Sequence, residues 1–123
     1  MRKNKKVWQK CFKLFCKRIR MQYYGKNYKS LAKAIYKEDL KDILENEEWI
    51  CVDIRMPEDF RRGHLRGARN ITTKEELQEV LNQDKKILIN CYLGHSASLL
   101  GTDLVEAGYL NIYYLDEAVA NCL

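Results

Sequence analysis

The sequence predicts an α/β domain on a mainly parallel sheet. Three observations carry this. Short apolar runs rich in β-branched residues at 49–54, 87–90 and 112–115 read as strands, and Arg69-Asn70-Ile71 as a further short one. Segments of helical periodicity alternate with them at 37–45, 74–81 and 97–107. The run Trp49-Ile50-Cys51-Val52-Asp53-Ile54 is almost continuously apolar, the pattern of a strand covered on both faces, as in parallel sheets between helices.

The 123 residues suffice for one domain, with an extension in front. Residues 1–37 hold thirteen Lys or Arg and no acid, whereas 38–123 hold nine bases and seventeen acids, so the net +5 combines +13 with −8. That asymmetry marks a basic tail on an acidic domain. The expected division is a basic amphipathic extension over 1–30 and the domain proper over 36–123. Within the extension Trp8, Cys11, Phe12, Phe15 and Ile19 fall at helical spacing among Lys10, Lys13, Lys17 and Arg18. The longest apolar run there, Leu14-Phe15-Cys16, is too short to span a membrane or form a signal-peptide core. A helix packed on the domain or merely solvated and a helix lying on an anionic membrane surface both fit this composition. Nucleic acid is the least favoured partner. The stretch Tyr23-Tyr24-Gly25-Lys26-Asn27-Tyr28 reads as a hinge.

The domain opens on a short helix over 37–45 with Leu40, Ile43 and Leu44 on one face. After the first buried strand, Met56-Pro57-Glu58-Asp59-Phe60 starts a helix, with proline in the first turn and acids near the amino end. A turn, Gly63-His64-Leu65-Arg66-Gly67-Ala68, leads to the short strand at 69–71. Thr73 and Glu76 have the spacing of a capping box for the helix over 74–81. The strand 87–90 ends at Cys91, Gly94 turns the chain, and a helix over 97–107 closes at Gly108. The strand 112–115 and a helical turn or two over 116–122 complete the chain.

Five cysteines at irregular spacing, no CxxC pair and only two histidines speak against a disulfide framework and against a structural metal site. Free thiols in a reducing cytoplasm are the expectation, with the basic stretch allowing a peripheral position at the inner face of a membrane. No cofactor and no metal are expected.

Cys91 is the leading candidate for chemistry. It stands where a strand ends and a loop leads into a helix, the position at which ligands bind in open α/β sheets. Backbone N–H groups converging there favour an anion and are expected to lower the thiol pKa from its free value of about 8.5. Cys51 lies inside an apolar strand and reads as an inert core thiol. Asp53 and Arg55 leave the buried strand on the same side and read as an ion pair supporting the site wall. His64, between glycines, reads as a residue holding a turn through a backbone hydrogen bond.

The segment Val52-Asp53-Ile54-Arg55-x-Pro57-Glu58-x-Phe60-x-x-Gly63-His64-Leu65-x-Gly67-Ala68-x-Asn70-Ile71 resembles the first signature of the rhodanese domain. The stretch 87–91, Gly94 and Leu104-x-x-Ala107-Gly108-Tyr109-x-Asn111-Ile112 resemble its active-site half. The likeness spans about 37–123. It implies a five-stranded, mostly parallel sheet flanked by helices. It also implies that Cys91 carries sulfur as a persulfide, taken from a sulfane-sulfur donor such as thiosulfate and passed to a thiol acceptor, small molecule or protein cysteine. The loop Tyr92, Leu93, Gly94, His95, Ser96 and Ala97 would supply the N–H groups that hold the persulfide anion.

Two departures stand out. Ser96 occupies the position where the family often has Arg, so the loop lacks a guanidinium for an oxyanion, and weak activity with thiosulfate is expected. His95 is a poor substitute when neutral. Glu117, Ala118 and Cys122 replace the usual residues after the last strand, which puts the C-terminal lid in doubt. Ala97 stands where phosphatase relatives of the fold need Arg, which speaks against phosphoester hydrolysis. The alternative to a sulfurtransferase is a non-catalytic rhodanese-like binding or regulatory module anchored by its basic N-terminal helix.

Overall fold

The computed structural model describes residues 30–123. The basic stretch 1–29, with its expected helix and hinge, lies outside the described residues.

Five strands form one sheet: β1 (Lys33–Ile35), β2 (Trp49–Asp53), β3 (Arg69–Asn70), β4 (Lys86–Asn90) and β5 (Ile112–Leu115). Their order is β1-β5-β4-β2-β3, and every pairing is parallel. From the centre the chain runs outward through β3 on one side and through β5 on the other. The crevice between the C-terminal ends of β2 and β4 is therefore the topological switch point. The sequence pattern announces four of these strands. β1 lies just ahead of residue 36 and pairs with β5 through Lys33, Ala34 and Ile35. Three residues inside a basic stretch give no readable alternation, so only the pairing reveals it.

The helices α1 (Leu40–Leu44), α2 (Pro57–Arg62), α3 (Lys74–Leu81) and α4 (His95–Glu106) join the strands. The stretch expected as one helix over 37–45 divides into a 3-10 turn, Lys37–Asp39, and α1. Pro57 is in the first turn of α2, where the missing N–H costs nothing. Thr73 caps α3: its hydroxyl accepts from the Glu76 amide at 3.2 Å and donates to the Glu76 carboxylate at 2.9 Å. α4 ends in a Schellman motif, with Gly108 N–H bonding Val105 O and Tyr109 N–H bonding Leu104 O. Gly108, at φ 105°, supplies the left-handed step this requires.

Side chains alternate across the sheet and build two apolar layers. Val52, Ile87, Ile89 and Cys91 face α3 and α4, packing on Leu77, Leu100 and Leu104. Cys51, Leu88 and Leu115 face the other way, against Leu40, Ile43 and Val119. The chain reaches β1 across α4. Ser30 Oγ donates to Ser98 O at 2.8 Å, and Ala32 packs so close to Gly101 that a Cβ there would lie 2.7 Å from the Ala32 methyl.

Candidate active site

Cys91 follows the last residue of β4 and stands at the switch point, 3% exposed. The next three residues turn the chain into α4. Gly94 makes the turn at φ 100°, a conformation that strains any residue with a Cβ. Its carbonyl then accepts the Ser98 N–H at 2.9 Å, so α4 begins at His95, two residues earlier than the periodicity suggests.

This tight entry aims backbone amides at the thiol. Gly94 N–H lies 3.1 Å from Cys91 Sγ and Ala97 N–H lies 3.4 Å away. The amides of Ala97, Gly94, Leu93 and Ser96 all favour the thiolate. Burial opposes them and prevails, so the thiol pKa rises instead of falling as the strand-end position suggests. The sequence shows the amides but not that the folded chain seals the sulfur from water. The uncharged thiol is thus the resting form, in a cradle shaped for an anion.

The remaining expected residues occupy distinct places. Leu93 is exposed on the loop, while Ser96 and Ala97 are buried in the first turn of α4 with His95 part-buried beside them. Tyr92 bonds elsewhere through its carbonyl and side chain: its carbonyl accepts the Val119 N–H at 3.0 Å, and its hydroxyl donates to Asp59 Oδ2 at 2.5 Å. The C-terminal segment is therefore tied to the loop. Asp59 and Val119 escape sequence reading because neither contact has a local pattern.

The wall beside the thiol is built on a buried ion pair. Arg55 Nη2 meets Asp53 Oδ2 at 2.8 Å, and Nε lies 3.1 Å from each carboxylate oxygen. The Arg55 amide also donates to Asp53 Oδ1 at 2.9 Å. Nη2 donates further to Gly63 O at 2.7 Å, so this guanidinium is committed to the wall. His64 Nδ1 meets Phe60 O at 2.8 Å, which requires the proton on Nδ1, and its ring stacks on Phe60 at 3.8 Å between centroids.

Cys51 presents a different environment. It points into the opposite apolar layer, and its thiol donates to Asn90 Oδ1 at 3.6 Å. Burial, with a smaller push from the Asp53 charge, raises its pKa to about 12. Cys122 packs at the edge of the same layer as Cys51. Among the described residues no other cysteine shares the layer of Cys91, and no cluster of His, Cys, Asp or Glu is arranged to hold a metal ion.

A parallel α/β sheet with a thiol at its switch point under converging amides defines a class that relatives now specify. The family model of the rhodanese-like domain matches residues 36–121. The chain belongs to the rhodanese-like family. It is 31% identical over 86 residues to thiosulfate sulfurtransferase GlpE of Pseudomonas putida, covering 68% of this chain and 78% of that one. It is 35% identical over 82 residues to GlpE of Haemophilus influenzae, covering 59% and 78%. The solution structure of protein hp1203 from Helicobacter pylori superposes with a TM-score of 0.59 at 32% identity, over 72% of this chain and 80% of that one. Among the described residues no helix is long and apolar enough to cross a membrane.

Proposed function

We propose that this chain is a sulfurtransferase that carries sulfane sulfur as a persulfide on Cys91 and hands it to a thiol. The observation carrying this is the pair of amides, Gly94 and Ala97, directed at Cys91 Sγ. In the resting state the sulfur accepts from amides that the start of α4 leaves without partners. The same cradle suits a sulfur that becomes anionic during turnover. In loading, Cys91 gives up its proton to solvent, and the thiolate attacks the outer sulfur of the donor. The S–S bond of the donor breaks and sulfite leaves when the donor is thiosulfate. In unloading, an acceptor thiolate takes the outer sulfur and Cys91 departs as thiolate.

The names of the GlpE relatives point to thiosulfate as one donor. Affinity for it is expected to be low. Arg55, the cation built into the wall, is committed to Asp53 and Gly63, and Ser96 brings no positive charge to the loop. Polysulfide, which needs no oxyanion grip, should load Cys91 at lower concentration than thiosulfate. The test is a sulfur-transfer assay with both donors on wild type and Cys91→Ser. Transfer that survives in Cys91→Ser refutes the proposal, and equal donor affinities refute the account of the loop.

The second reading, a binding module that does not turn over, draws on the sealed, protonated state of Cys91. It requires Cys91→Ser to keep the cellular role intact. Docking of residues 1–29 on an anionic membrane is a separate proposal. Flotation with anionic liposomes should be lost when 1–29 are removed, and undiminished flotation of the shortened chain refutes it.

A further inference from the structure

We propose that Tyr92 is a positioning residue that clamps the amide cradle around Cys91, with Asp59 as its partner. The proposal rests on reading Cys91 as the sulfur carrier, but it concerns a residue that does not touch the sulfur.

Tyr92 joins three separate parts of the chain at the mouth of the site. Its carbonyl is held by the Val119 amide at 3.0 Å, which fixes the loop to the C-terminal segment. Its hydroxyl receives the Met56 N–H at 3.2 Å and donates to Asp59 Oδ2 at 2.5 Å, which fixes the same residue to the start of α2. The Arg55 guanidinium lies 5.8 Å from the ring centroid, within range of a cation–π contact, and is itself pinned by Asp53. Tyr92 is thus held at both ends, by backbone and by side chain, immediately after the reactive sulfur.

The consequence follows from chain connectivity. Only Leu93 separates Tyr92 from Gly94, whose amide is 3.1 Å from Sγ. Hydrogen-bond energy falls steeply with distance and angle, so a few tenths of an ångström at Gly94 decide whether the cradle grips an anion. The Gly94 carbonyl is held from the helix side by the Ser98 N–H, but Leu93, between Gly94 and Tyr92, is exposed and gives no hold from the strand side. A short O–H···O⁻ bond to Asp59 supplies it, because a charge-assisted bond is about twice as strong as a neutral one. The hydroxyl keeps the proton that this bond needs. Burial and the Asp59 hydrogen bond hold its pKa above the usual value, against the opposing pull of the Met56 amide. The charged groups around the clamp are Asp59 and Arg62 on α2 and the Arg55–Asp53 pair.

The test uses the full chain and the variants Tyr92→Phe, Asp59→Ala and the double variant. Two quantities are read: the rate of sulfur transfer from polysulfide, and the pH dependence of Cys91 alkylation by iodoacetamide. The clamp predicts that each single variant slows transfer by roughly tenfold or more, the scale of one hydrogen bond to a charged group. It predicts that the alkylation midpoint moves to higher pH, because the groups lowering the Cys91 pKa are amides whose aim is lost. The double variant should be no worse than the slower single one, since both cut the same bond. Wild-type transfer in Tyr92→Phe, an alkylation midpoint unchanged or lowered, or fully additive losses would each overturn the proposal. Asp59 is about a third exposed, at 34%, so Asp59→Ala keeps the test decisive if Tyr92→Phe fails to fold. If wild type carries no sulfur, the sulfurtransferase reading fails, while the alkylation midpoints still decide the clamp.

Discussion

Cys51 lies in β2 and Cys91 directly follows the neighbouring strand β4, and both are almost fully buried, at 6% and 3% exposure. Burial raises the pKa of each. They differ in what meets the sulfur. Cys51 is in mid-strand, where the neighbouring backbone groups are occupied by the sheet, and its thiol can only donate, to Asn90. Cys91 is one residue past its strand, where the start of α4 leaves amides without ladder partners. Two of them turn to Sγ. Burial does not distinguish the two thiols. Unpaired N–H groups at a strand end do, and the topology places them at the switch point.

The contrast between the two thiols can be tested first at the Asp53–Arg55 ion pair, where β2 ends. Arg55→Met would leave the Asp53 carboxylate, which is fully buried, without its partner. A loss of about 3–5 kcal/mol is expected for an uncompensated buried charge. Urea unfolding should show the midpoint drop with an unchanged slope. A loss below about 1 kcal/mol would mean that Asp53 is solvated in a way the ion pair does not suggest.

It can be sharpened at Gly94. Gly94→Ala must hold φ near 100° against an unfavourable Cβ, or else withdraw the amide from Sγ. Sulfur transfer should fall by roughly a hundredfold, comparable to losing one oxyanion donor, while stability changes by only about 1–2 kcal/mol. Transfer kept at the wild-type rate would show that the amide cradle does not matter.

The smallest effect belongs to Cys51. Its folded pKa, about 12, lies above that of an unfolded thiol, so folding favours the neutral form. The contribution is therefore complete below about pH 8.5 and is lost as pH rises from there toward the folded value. Cys51→Val should flatten the alkaline fall in stability and leave sulfur transfer within about twofold of wild type. A marked loss of transfer would place Cys51 in the reaction path.

Much of this architecture is legible in the residues. The apolar run through Val52, the alternating helices and the turn at Gly94 reveal the sheet and the position of Cys91, because burial on both faces and left-handed turns leave local marks. β1 leaves none, since its identity comes from pairing with β5 across the chain. The Tyr92–Asp59 bond and the Val119 anchor are equally hidden, because they join residues far apart in sequence. The raised Cys91 pKa has the same cause: amide convergence can be read from a strand–loop–helix pattern, whereas the sealing of a sulfur depends on everything packed above it.

The central claim is that Cys91, and not Cys51, accepts sulfur. Mass spectrometry of the native chain after brief polysulfide treatment, followed by peptide mapping, tests it most directly. The account predicts one added sulfur on the peptide holding Cys91, none on that holding Cys51, and no added sulfur at either site in Cys91→Ser. Added sulfur on Cys51, or a Cys91 peptide left unmodified under conditions that load a free thiol, would contradict it.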